Sequence, residues 1–345
     1  MNLAVLGAGS WGTTIASLVA TRVPTTLWAR SEDLAAEVRD RRTNVSYLGD
    51  RRLPDQLRAT SSLAEALDGA GLVVIALPSH GVRAVLMAAT GLVPGGVPVV
   101  SLSKGLEEGT MARISEIVEE CWPGHPVGVL TGPNLAAEVC AGQPTASVIA
   151  FSDEGLASEI RDLFATENLR LYTNPDVIGC EIAGAVKNVL AMASGMSIGL
   201  GFGDNTRAAL ITRSLAELTR LGVALGGEPP TFAGLAGLGD LVATCTSVKS
   251  RNFSVGVALG QGRSLDEVVG GTRMVAEGVK TCRPVVDLAR RLGVEVPVAE
   301  QVVAVCHGGR PPSEAIPLLM RRAPRSEVEN RVSLDAPSHD DTHGR

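Results

Sequence analysis

The chain has 345 residues, a formal net charge of −6, 45% hydrophobic residues and only 3% aromatics. That length suits two domains, with cores packed by Ala, Val, Leu and Ile. The acidic balance and the lack of a basic block argue against nucleic acid as a partner. The six cysteines (Cys121, Cys140, Cys180, Cys245, Cys282, Cys306) form no C-x-x-C and no Cys/His zinc spacing, so no metal is expected.

Leu3–Leu6 is a short apolar run of the kind found in strands buried on both faces. Gly7-Ala8-Gly9-Ser10-Trp11-Gly12 follows at once, then the helical stretch Thr13–Ala20. Strand, glycine turn and helix in this order form a dinucleotide-binding fingerprint. Gly7 permits the tight turn, Gly9 lets backbone approach a pyrophosphate, and Gly12 lets the helix pack on the strand. The helix N-terminus offers N–H groups to phosphate. No basic n-region or cleavage site precedes the strand, which predicts a cytoplasmic protein with reduced thiols.

Thr25–Trp28 reads as a second strand, ending in Ala29-Arg30-Ser31. An Arg at this place suits a ribose 2′-phosphate, which favours NADP(H). Glu32, two residues on, keeps NAD(H) possible. A solvated surface Arg is the competing reading of Arg30. Asn44–Leu48 and Arg51–Pro54 read as a polar connection. Further buried strands are expected at Leu72–Leu77, Pro98–Leu102, Val127–Leu130, Ala146–Ala150 and Leu169–Tyr172. Ala84–Ser103 is uncharged, but its Pro94, Gly95, Gly96 and Pro98 make it helix, turn and strand rather than a membrane span. Alternating strands and helices predict a doubly wound sheet, with ligands at the strands' carboxyl ends. Gly7, Arg30, Pro78, Lys104 and Gly132 fall at such ends.

From Asp176 onward the pattern is helical. The predicted boundary lies near 173, giving residues 1–173 as the dinucleotide-binding domain, 174–322 as a helical domain, and 323–345 as a polar, disordered tail. Asp204-Asn205 reads as the capped start of a helix over Thr206–Leu221. Val177–Met196 is a long, apolar, small-residue helix with one central charge, Lys187. Its neighbours three and four positions away are Gly184, Ala183, Leu190 and Ala191. A Lys on such a face must snorkel, pair or function, and desolvation would tune it for general acid work. Asp240 closes the glycine-rich stretch Phe232–Gly239; it can pair with Lys187, bind a substrate hydroxyl or cap the next helix. Ser250-Arg251-Asn252 sets a guanidinium beside a helix start, which suits a phosphate or is an ordinary exposed basic turn. The five histidines offer no well-supported catalytic candidate.

Taken together, the Gly7–Thr14 stretch, Ser103-Lys104-Gly105-Leu106-Glu107, Thr131-Gly132-Pro133, Gly184-Ala185-Val186-Lys187-Asn188-Val189, Gly234–Leu241, Ser250-Arg251-Asn252 and Val275-Ala276-Glu277-Gly278 resemble the bacterial type of NAD(P)-dependent glycerol-3-phosphate dehydrogenase. The resemblance covers residues 1 to about 320. It implies an α/β, Rossmann-like doubly wound sheet followed by an all-α domain of the kind seen at the C-terminus of 6-phosphogluconate dehydrogenase. It implies reversible reduction of dihydroxyacetone phosphate to sn-glycerol 3-phosphate for phospholipid synthesis, in a homodimer, without membrane insertion. Lys187 would be the catalytic proton donor. Lys104, Gly132, Asn134, Asp240, Thr244, Ser250, Arg251 and Asn252 would join it around the phosphate substrate. Ser10, Trp11, Arg30, Lys104, Ala136, Arg251, Val275 and Glu277 would join the glycines at the dinucleotide. Two positions depart from the family's usual pattern: Asn134 stands where Ser or Thr is common, and His80 where Gln is common.

Overall fold

A computed structural model describes residues 1–270 and 276–320. Val275 and the expected tail at 323–345 lie outside the described residues. The eight strands are β1 (Asn2–Leu6), β2 (Thr25–Trp28), β3 (Leu57–Thr60), β4 (Ala70–Ile75), β5 (Val99–Ser101), β6 (Val127–Thr131), β7 (Thr145–Ala150) and β8 (Leu169–Asn174). They form one sheet in the order β3-β2-β1-β4-β5-β6-β7-β8. All neighbouring pairs are parallel except β6 and β7. Chain order reverses between β1 and β4, the crevice where such sheets hold ligands.

The period-2 alternation of the strands divides the core between the two faces. Leu3 and Val5 pack on one side with Ile15, Leu27 and Val74. Ala4 and Leu6 pack on the other with Val73, Ile75, Val82 and Ile117. The expected strands are present with slightly different ends. The sequence reading missed β3, a four-residue edge strand interrupted by the exposed Arg58. The supposed polar connection also needs correction: Asn44 is completely buried.

From Val177 the described chain is helical. The Val177–Gly199 helix starts where the Asp176 carboxylate accepts the Gly179 N–H at 2.7 Å. Every residue from Gly179 to Ser197 is buried, so the helix is the axis of the third core. It is long and apolar enough to cross a membrane, yet 94% of its apolar window is covered by the rest of the protein. Gly195 and Gly199 meet Gly256 and Gly260 of the Arg251–Gly260 helix; a Cβ at any of the four would strike the other helix's backbone. The next helix runs Asp204–Ala224 and is preceded by Gly203. Asp204 is therefore inside the first turn, paired with Arg207, and not the cap the sequence suggested.

Candidate active site

The glycine turn has the geometry its sequence demands. Gly7 sits at φ +119°, and a Cβ there would collide with the Ala76 carbonyl at the end of β4. A Cβ on Gly12 would strike the Gly7 carbonyl, whereas one on Gly9 would meet nothing within 4 Å. The open side of the turn is thus at Gly9. The first intrahelical bond of Ser10–Ala20 runs from Thr13 N–H to Gly9 C=O at 2.9 Å, so the N–H groups ahead of it are uncommitted. Ser10 Oγ donates to the Tyr47 carbonyl at 3.2 Å, and the buried Trp11 Nε1–H has no partner among the described residues.

Arg30 is exposed just beyond β2, and among the described residues its guanidinium has no hydrogen bond or ion pair. Glu32, by contrast, is committed. Ser61 Oγ donates to it at 2.6 Å and Arg39 Nη2 at 3.2 Å, and these bonds hold its carboxyl below the usual range.

At the carboxyl ends of β5 and β6 three charged side chains meet in a largely buried cluster. Lys187 Nζ donates to Asp240 Oδ1 at 2.8 Å and to Thr244 Oγ1 at 2.7 Å. Lys104 Nζ donates to the other oxygen, Asp240 Oδ2, at 2.7 Å, to Asn134 Oδ1 at 2.7 Å and to the Gly132 carbonyl at 3.1 Å. Asp240 is only 2% exposed and bridges the two ammonium groups. Burial works to raise its pKa, but the two lysines win and hold it below the ordinary carboxylate range. Burial lowers Lys104 to about 8, against the pull of Asp240 and with a further push from Lys187. Two ammonium groups against one carboxylate leave the cluster net positive, which favours an anion or a developing alkoxide.

The glycine-rich stretch delivers Asp240 here. It closes a wide turn at Leu235–Gly239 and opens the helix Asp240–Thr246. The capping reading of Asp240 is therefore corrected: its carboxylate is spent on the lysines. Gly184, one turn before Lys187, leaves room for the Lys104 stem and Thr131 Oγ1.

Ser250 Oγ accepts the Phe253 N–H at 3.3 Å and so caps the Arg251–Gly260 helix. Arg251 is exposed at its start. Asn252 is bound on both sides of its amide: Nδ2 donates to Asn188 Oδ1 at 2.8 Å, and Oδ1 accepts Gly278 N–H at 2.9 Å. Asn188 in turn donates to the Lys104 carbonyl at 3.1 Å. The sequence reading gave Asn188 no role, although its place beside Lys187 was the signal. Ser79 was likewise missed. It follows β4, and its N–H (3.2 Å) and Oγ (2.8 Å) both donate to Glu277 across the cleft. Burial raises the Glu277 pKa. Ala136 opens a short helix, Ala136–Cys140, just beyond Asn134. Asn134 Nδ2 is buried without a partner.

A mostly parallel sheet reversing at a glycine turn, with a lysine–carboxylate cluster at its strand ends and a helical domain following it, defines a Rossmann-type dehydrogenase architecture. Residues 2–157 match the N-terminal sequence pattern, and residues 176–317 the C-terminal pattern, of NAD-dependent glycerol-3-phosphate dehydrogenase. The chain belongs to that family. It is 51% identical over 310 residues to glycerol-3-phosphate dehydrogenase [NAD(P)+] 2 of Sphingopyxis alaskensis, covering 90% of this chain and 93% of that protein. It is 49% identical over 328 residues to glycerol-3-phosphate dehydrogenase [NAD(P)+] of Mycobacterium avium, covering 95% and 96%. The crystal structure of glycerol-3-phosphate dehydrogenase from Coxiella burnetii superposes with a TM-score of 0.90 at 36% identity, covering 93% of this chain and 99% of that one.

Proposed function

We propose that the protein catalyses the reversible, NAD(P)H-dependent reduction of dihydroxyacetone phosphate to sn-glycerol 3-phosphate. The observation that carries the reading is the Asp240 carboxylate bridging Lys187 and Lys104 at the carboxyl ends of β5 and β6, in the same sheet whose β1 ends in the glycine turn. We assign residues 1–173 to dinucleotide binding, 174–322 to substrate binding and 323–345 to a tail. We further propose a cytoplasmic homodimer serving phospholipid synthesis, in keeping with the family.

The residues present fit a dinucleotide. The turn is closed at Gly7 and Gly12 but open at Gly9, and the Trp11 indole N–H has no partner among the described residues. Gly7, Gly9, Ser10, Trp11 and Gly12 would hold the pyrophosphate, and Arg30 a 2′-phosphate, which favours NADP(H) over NAD(H). Lys104, Ala136, Arg251, Val275 and Glu277 would complete the site. The bound nicotinamide supplies the hydride that reduces the carbonyl carbon.

Lys187 gives a proton to the carbonyl oxygen as the alkoxide forms, and takes it back in the reverse direction. Asp240 and Thr244 hold the Lys187 ammonium in place. Lys104 contributes positive charge to the same pocket, and Asn134 Nδ2 and the Gly132 backbone line it. Arg251, at a helix N-terminus capped by Ser250 and held by Asn252, takes the phosphate. The test is a steady-state assay of dihydroxyacetone phosphate reduction with each cofactor. Turnover with NADPH or NADH is expected; activity on a 3-hydroxy acid with none on dihydroxyacetone phosphate would sink the reading.

A further inference from the structure

The segment that sequence alone leaves as a polar connection is wedged under the glycine turn. Asn44 is 0% exposed. Its Nδ2 donates to the Ala8 carbonyl at 3.0 Å and to Thr13 Oγ1 at 2.8 Å, so one amide group grips both ends of the Gly9–Gly12 stretch. These two acceptors fix which way the amide faces, because a flipped amide would set its oxygen against the Ala8 oxygen. The amide oxygen is then left buried with no donor among the described residues. A buried acceptor without a partner is a cost that a residue serving packing alone would avoid.

The wedge is itself braced. Glu37 Oε1 accepts Thr43 Oγ1–H at 3.1 Å and Val45 N–H at 2.7 Å, one on each side of Asn44. Arg42 ends the preceding turn at φ +57° and donates through Nη1 to the Leu57 carbonyl at 2.6 Å. Tyr47 accepts from Ser10, a second tie between the segment and the turn. The segment is thus anchored to the sheet at one end and to the turn at the other.

We propose that Asn44 is a positioning residue for the dinucleotide. By holding the Ala8 carbonyl on the buried side, it keeps that oxygen away from the phosphate and leaves the N–H groups around Gly9 facing outward. This inference rests on the Gly7–Gly12 turn being the pyrophosphate seat. It touches neither the reacting carbonyl nor the 2′-phosphate, so its effect is confined to dinucleotide affinity and is equal for both cofactors.

The experiment is fluorescence titration of the full-length protein with NADPH, NADH and, by competition, ADP-ribose, alongside steady-state kinetics. Asn44→Ala is expected to raise all three dissociation constants by a common factor of about ten. kcat at saturating cofactor and KM for dihydroxyacetone phosphate should stay within about twofold of wild type. Thr13→Val, which removes one acceptor and preserves shape, should give a smaller rise in the same direction and covers the case in which Asn44→Ala does not fold. Wild-type affinity in either folded variant overturns the role of Asn44, as does a loss confined to kcat. Failure of the wild-type protein to bind any of the three overturns the seat itself, and the inference with it.

Discussion

The Gly7–Gly12 turn is built from six successive residues and depends on the absence of side chains. The Lys104–Asp240–Lys187 cluster joins residues up to 136 positions apart and depends on charge. The turn is a matter of space, and each glycine contributes separately. The cluster is a matter of balance: removing Asp240 leaves two ammonium groups uncompensated, whereas removing either lysine leaves the other paired with the carboxylate. Damage to the turn should therefore depend on which glycine is filled, and damage to the cluster on which charge is lost.

The strongest test of that contrast is Lys187→Ala. It should lower kcat by about 10²- to 10⁴-fold, the usual contribution of a positioned proton donor, while titration still shows NADPH binding. Near-normal turnover would remove Lys187 from the mechanism. Asp240→Asn should act on stability as well as rate. It leaves two buried ammonium groups facing a neutral amide, with an expected loss of about 3–5 kcal/mol in urea unfolding. A fully stable Asp240→Asn protein would mean that the lysines do not need the carboxylate.

On the turn's side, Arg30→Asp removes a charge-assisted contact of about 1.5–3 kcal/mol. The ratio of kcat/KM for NADPH over NADH should fall by about ten- to a hundredfold. An unchanged ratio would place 2′-phosphate recognition elsewhere. The smallest effect concerns pH. Lys104 lies at about 8, so it is protonated below that pH and loses its charge above it. kcat/KM for dihydroxyacetone phosphate should decline a fewfold as pH rises from 7 to 9, and Lys104→Arg should abolish that decline.

Legibility in sequence follows the same division. The turn, its strand and the long Lys187 helix could be read directly, because each is a local pattern. Lys104 and Asp240 stood out as individual residues, and the family resemblance joined them. The pairing of Asp240 with Lys187 was one of the sequence's readings, but the second bond of Asp240, to Lys104, was not visible, since no local spacing encodes a contact between residues 136 apart. β3 was missed because one exposed Arg in four residues breaks the apolar signal of an edge strand. The antiparallel entry of β7 was hidden because the connection from Gly132 to Pro144 holds only a five-residue helix and never crosses the sheet. Asn44 looked like solvent-facing polarity; only its burial against Ala8 and Thr13 gives it meaning.

The glycines at 195, 199, 256 and 260 carry a consequence for substrate range. They set the distance between the Lys187 helix and the helix that begins at Arg251 by the thickness of bare backbone. That gap has no side chains to trim, so it cannot be narrowed. It can be widened only by forcing the two helices apart and moving Arg251 away from Lys187. A protein retuned for a bulkier ketone would have to find its room away from this helix pair. The reach from reacting carbon to phosphate would stay that of a three-carbon ester.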